Sequence, residues 1–174
     1  MAISAEDIKK LREMTSCGVI ECKKALESSN GDFEKAKKIL QERGLELAAK
    51  KVGRVAKEGR IETYIHPGNK LAVIVEVSCE TDFVAKGVEF AAFVKNLAMH
   101  IAAFGPKYLS REDVPEADVK AAANAEQYFK EVCLLEQPFV KDPSKTIKDC
   151  ITGLIGSIGE NIYINRFVRY KVGE

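Results

Sequence analysis

Through the first fifty residues apolar positions recur every three or four places, and beyond residue 60 they begin to recur every second place. The first rhythm predicts helices and the second predicts strands. Ile8, Leu11 and Met14 share one face of a helix opened by Ser4 and Asp7, a pair that approximates a capping box. "TSCG" breaks that helix. A second helix turns Cys22, Ala25 and Leu26 inward and stops at "SSNG", where Asn30 or Gly31 can take the left-handed conformation. Asp32 caps a third, striped by Phe33, Ala36, Ile39 and Leu40 and ended by Gly44. Val19 and Ile20, at the turn into the second helix, read equally well as core or as an outward patch.

Residues 45–57, "LELAAKKVGRVAK", suit an exposed helix joining two domains. The period then changes to two. "RIETYIH" and "KLAVIVEVS" flank "PGN" and predict a hairpin, with the second strand the more buried. "FVAKGVEFAAFVKNLAMHIAAF" predicts one long helix, with Val84, Val88, Ala91, Ala92, Leu97 and Ile101 among its apolar positions. Pro115 opens another that runs to Pro138, and Ser144 starts a last one. "NIYINRFVRYKV" closes the chain as a third strand. The expected class is α+β, an N-terminal three-helix bundle followed by a small antiparallel sheet packed with helices.

Composition narrows the classes of function. With 174 residues, 46% hydrophobic and 30% charged, the chain suits one or two small soluble domains, and no window approaches the roughly 20 apolar residues of a membrane span. The start has neither the basic and apolar regions of a signal peptide nor the acid-poor character of a transit peptide, so a cytoplasmic location is expected. Five cysteines without a CxxC pair predict reduced, mostly buried thiols. Residues 1–60 hold 14 Lys or Arg against 10 acids. That mild excess, with Lys50, Lys51, Arg54 and Lys57 near its end, leaves an RNA- or ribosome-binding role as the alternative reading.

Catalytic patterns are weak. His66 falls in a hairpin turn, His100 falls in an apolar helix, and no HxxxH spacing occurs. Gly153, Gly156 and Gly159 lack the preceding strand and following lysine of a phosphate loop, so they suit close helix packing and a helix stop. No cofactor or metal is expected.

The sharpest local feature is "EVSCETDFVAK", where a buried strand ends in a polar turn that presents Asp82 beside Phe83. Thr81 or Asp82 can cap a following helix while Phe83 folds onto the sheet as a staple. Alternatively the corner projects both side chains toward a partner. This stretch and "LREMTSCGVIECKKAL" resemble the two sequence signatures of the elongation factor Ts family, guanine-nucleotide exchange factors of bacterial and organellar translation. "LLEQPFVKD" and "GENIYINRF" extend the resemblance over nearly the whole chain. Ser78 departs from it where the family usually has Asn, which puts one local hydrogen bond in question.

The resemblance implies a ubiquitin-associated-like (UBA-like) domain at 1–44, a helical linker at 45–59 and a core or dimerisation domain at 60–174. The implied partner is elongation factor Tu. In the family the segment matching Thr81, Asp82, Phe83 and Val84 intrudes beside the nucleotide and upsets the magnesium site, while positions matching Arg12, Val19, Ile20 and Lys23 grip the GTPase elsewhere. The role of Asp82 stays open among capping, repulsion of phosphate and direct contact with the partner. With one core copy instead of two, the chain is expected to form a homodimer. An enzyme and a direct nucleic-acid partner are not expected.

Overall fold

The structure, a computed structural model, describes residues 3–15, 17–51 and 53–174, and divides into two compact units. One comprises Met1–Arg54 with Thr152–Asn161, the other Val55–Ile151 with Ile162–Glu174. The class is α+β, as expected.

In the first unit α1 (Ala5–Thr15), α2 (Val19–Ser28) and α3 (Phe33–Lys51) enclose Leu11, Cys22, Ala25, Leu26, Ala36 and Leu40. The caps follow the sequence. Ser4 Oγ accepts from the Asp7 amide at 3.1 Å while the Asp7 carboxylate accepts from the Ser4 amide at 3.2 Å. Asp32 accepts from the amides of Glu34 and Lys35. Asn30 and Gly31 both adopt positive φ, where a C-terminal stop needs it. Ser16, within the expected break, lies outside the described residues.

Gly44 does not end α3, which continues to Lys51. Good helix formers on both sides carry the helix through, and the missing side chain serves packing instead. A Cβ on Gly156 of α8 (Ile147–Ile158) would lie 3.0 Å from the Gly44 Cα, so these helices meet backbone to backbone. Gly159, at φ 82°, follows the end of α8.

The second unit is built on a three-stranded antiparallel sheet in the order β1–β2–β5, with β1 at Glu58–Ile65, β2 at Leu71–Cys79 and β5 at Tyr163–Lys171. Val73, Val75, Val77 and Cys79 of β2 alternate inward, and α5 (Val88–Phe104) covers that face with Phe90, Val94, Leu97 and Ile101. The other face bears the cross-strand rows Thr63–Ile74–Val168 and Ile65–Ala72–Tyr170. Ile65, Ile74 and Tyr170 are exposed on it.

Three expected helices are remodelled. The one after β2 breaks at Gly87 into α4 (Asp82–Lys86) and α5. The one after Pro115 divides into α6 (Glu116–Ala121) and α7 (Ala125–Val132), because the Asn124 side chain caps α7 by accepting from the Gln127 amide. Ser144 lies in a small hairpin of β3 (Pro138–Phe139) and β4 (Asp142–Thr146), and α8 starts after Thr146, whose hydroxyl and backbone are paired with Asp149.

His100 pins that hairpin to α5. It is fully buried and stacks on Phe104 with ring centres 4.6 Å apart. The Val140 amide donates to its Nδ1 at 3.3 Å, which leaves the proton on Nε2 to donate to Gln137 Oε1 at 3.0 Å. Burial pushes the imidazole pKa down, and the Gln137 bond only partly opposes this. The folded state therefore holds the neutral ring, and its contribution is complete near neutral pH. It is lost as pH falls from about 6.5 through the lowered folded value.

Between about pH 6.5 and 5, stability is expected to fall more steeply in the wild type than in His100→Gln, with faster amide exchange at Val140; parallel curves in chemical denaturation would contradict this role. Gly156→Val is expected to cost about 1–3 kcal/mol through the clash at Gly44. Gly153→Ala, whose Cβ meets nothing within 4 Å, is expected to be neutral or stabilising.

Candidate functional site

The corner after β2 is assembled from one strand end, five helical residues and a glycine. Cys79 is sealed in the core and its thiol donates to the Thr81 carbonyl at 3.2 Å. This bond holds the chain as it leaves the sheet. Thr81, extended at φ −128° and ψ 154°, is the N-cap of α4, and its hydroxyl accepts from the Val84 amide at 3.4 Å. The Ala85 amide donates to the Thr81 carbonyl, and the Gly87 amide to that of Val84 at 2.9 Å. A side chain on Gly87 would meet the Val84 carbonyl oxygen at 3.0 Å, so only glycine closes the corner this tightly without a backbone shift.

The four expected residues Thr81, Asp82, Phe83 and Val84 thus fall in a single turn, and no residue of α4 is buried. Phe83 is 83% exposed, which overturns the staple reading. An apolar ring held out in water costs the free energy its burial would recover, roughly 1.5–3 kcal/mol. Such a side chain on a short, hydrogen-bonded corner has the form of an interface anchor. Thr81 rather than Asp82 is the N-cap residue, although the Asp82 carboxylate also draws on the Phe83 and Asp82 amides. That carboxylate pairs with Lys86 Nζ at 2.7 Å, and the ammonium holds the carboxyl below the usual carboxylate range.

Val88, one residue past Gly87, is 87% exposed and extends the apolar part of the corner. The sequence reading counted it among the apolar positions of one continuous helix, without assigning it a direction. The inward phase of α5 is set by Phe90, Val94, Leu97 and Ile101, and Val88 stands two positions before Phe90 on the far side. The break at Gly87 was the available signal, since it cancels any phase carried over from residue 84.

In the N-terminal bundle the four other residues fall in the last turn of α1 and the first two turns of α2. Arg12 is exposed in the last turn of α1, and Val19 and Ile20 open α2 at 51% and 67% exposure. The equal choice between core and patch resolves to patch. Lys23, one turn further on, is exposed and lies 3.9 Å from Glu27. Met14, expected inward, is exposed beside them in sequence; α1 commits Leu11 to the core and leaves the following turn outside.

The remaining candidates have structural occupations. His66 pairs with the Tyr64 hydroxyl at 3.1 Å. All five cysteines carry reduced thiols, and burial pushes that of Cys133 up to about 11. Lys50 and Lys51 fall in the last turn of α3, where cations complement the helix dipole. The departure at Ser78 preserves a hydrogen bond: Asn165 Nδ2 lies 2.8 Å from both Ser78 Oγ and Glu76 Oε1. Among the described residues no group of three or more His, Cys, Asp or Glu could hold a metal ion, and no helix is long and apolar enough to cross a membrane.

A family profile described as Elongation factor TS matches residues 5–127 and 123–174. The chain is 50% identical to Elongation factor Ts of Thermoanaerobacter pseudethanolicus, over 99% of this chain and 96% of that protein. It is 48% identical to Elongation factor Ts of Carboxydothermus hydrogenoformans, over 99% and 90% respectively. With that of Alkaliphilus oremlandii the identity is 49%, over 100% and 91%. Whole-length similarity at this level, joined to both signatures and to the corner they encode, shows that the chain belongs to the elongation factor Ts family of protein-biosynthesis factors.

Proposed function

We propose that this chain accelerates GDP release from elongation factor Tu by inserting the corner Thr81–Val84 beside the bound nucleotide and disturbing its magnesium and phosphate contacts. The observation that carries the reading is the exposure of Phe83 on a corner fixed by Thr81 and Gly87. GDP is held largely by a magnesium ion and by amides of a phosphate loop, so displacing those elements weakens binding without any covalent step. Linkage sets the scale. A factor that binds the empty GTPase more tightly than the loaded one must loosen the nucleotide by the same ratio.

Within this reading the UBA-like bundle of residues 1–44 grips the GTPase away from the nucleotide. Val19 and Ile20 bring apolar area, and Arg12 and Lys23 bring charge at its edge. Residues 45–59 connect it to the core domain, 60–174, which carries the corner. The work is done in the cytoplasm, where translation runs, and needs no cofactor.

We also propose a homodimer through the outer face of the sheet. Ile65, Ile74 and Tyr170 are exposed in adjacent cross-strand rows there, and a second copy related by a two-fold axis would bury them.

Phe83→Ala is expected to leave unfolding stability within about 0.5 kcal/mol of wild type, since the ring is exposed. In stopped-flow release of fluorescent GDP from elongation factor Tu, the wild type is expected to accelerate release strongly and Phe83→Ala to lose roughly tenfold or more. Undiminished exchange by folded Phe83→Ala would contradict the wedge. In sedimentation at micromolar concentration the wild type is expected at twice the chain mass and Ile74→Lys at the monomer mass. A monomeric wild type would remove the dimer.

A further inference from the structure

A helix of five residues does not hold itself together, because so few bonds cannot offset the cost of nucleation. No side chain of α4 is fully buried; Val84 and Ala85 are half-buried, so packing holds the element only in part. Its form depends on connections made at its ends. Thr81 caps the first turn, and Gly87 closes the last. A further connection is made by Lys86, the last residue of α4, whose ammonium sits 2.7 Å from Oδ2 of Asp82, the first. The pair spans the whole element, with the acid at the positive end of the helix dipole and the base at the negative end. Glu58, at the start of β1, adds a weaker attraction on Lys86.

We propose that Lys86 is a positioning residue of the exchange corner: by holding Asp82 it fixes α4 and the bearing of Phe83, and it keeps the carboxylate neutralised as the corner docks. This rests on the exchange reading above. In the free protein the pair is exposed and water screens it, so its removal loosens α4 locally and changes the overall unfolding stability little. At a docked interface water is excluded and the same pair interacts more strongly. Lys86 therefore acts on exchange far more than on folding, and through Asp82. A carboxylate already paired is also a poor repeller of phosphate, so of the roles open to Asp82 the structure favours holding the corner's shape.

Lys86→Met keeps the aliphatic stem and helix propensity but removes the charge, while Lys86→Arg keeps the charge. In stopped-flow release of fluorescent GDP from elongation factor Tu, Lys86→Met is expected to lose roughly threefold to tenfold, and Lys86→Arg no more than about twofold. In an Asp82→Asn background Lys86→Met is expected to add nothing. The loss should shrink toward about 1 M salt, where the screening length is about 3 Å. Without the GTPase, amide exchange at Ala85 and Gly87 should quicken in Lys86→Met while the unfolding midpoint stays in place.

An active wild type with an unimpaired Lys86→Met overturns the role of Lys86 and leaves the exchange reading standing. So does an equal loss in both Asp82 backgrounds, which would make Lys86 a direct contact of the partner. A wild type that leaves GDP release unchanged overturns the exchange reading and this role with it.

Discussion

Cys79 and Phe90 are both sealed inside the sheet-bearing unit, and the chain has residues 80–89 in which to leave the strand, reverse and lay α5 back over the same sheet. That constraint governs the corner. Its two ends are fixed by burial, so the stretch between them cannot drift, yet none of α4 reaches the core. The backbone bonds of Thr81, Val84 and Gly87 then determine where every side chain of the turn points. A protein that must press an apolar group against a neighbour needs this combination, because a loose corner would lose to ordering entropy much of what Phe83 gains on burial.

The sheet beneath explains how such a corner remains anchored. Its inner face is filled by β2 and α5, while its outer face presents isoleucines and a tyrosine to solvent. The same three strands therefore form a rigid base for the corner and, in the dimer proposed above, the surface that a second copy would cover. His100 ties α5 to the β3–β4 hairpin through bonds that only the neutral ring makes. Rigidity here comes from buried hydrogen bonds and interlocked aliphatic side chains, and the exposed ion pairs add local shape rather than stability.

Much of this was legible in the residues. The caps at Ser4, Asp32 and Thr81 and the stop at Asn30 and Gly31 are short-range effects, and the strands announced themselves by alternation. The errors share a cause. Gly44, Gly87 and Asn124 each carry a helix-breaking character whose outcome depends on what approaches from elsewhere in the chain. Gly44 stayed helical between good helix formers, and its bare backbone admits α8, whereas at Gly87 the chain leaves the helix in an extended conformation. For the candidate site, the sequence located Asp82 and Phe83 but left open whether the ring was tucked in or held out. Exposure depends on the path of the backbone after Cys79, which no pattern of residues in one window specifies. The Asp82–Lys86 spacing was visible as an i,i+4 pair, but the role proposed for it draws on α4 having no fully buried side chain, which the sequence did not show.

The central claim is that an exposed aromatic ring on a fixed corner stabilises the nucleotide-free form of a GTPase over its loaded form. Titration calorimetry of the wild type and Phe83→Ala against nucleotide-free and GDP-bound elongation factor Tu tests it most directly. The wild type is expected to bind the empty form more tightly by at least two orders of magnitude, and Phe83→Ala to lose at least about tenfold of that preference. Equal affinity of the wild type for both forms, or a preference untouched by the substitution, would contradict it.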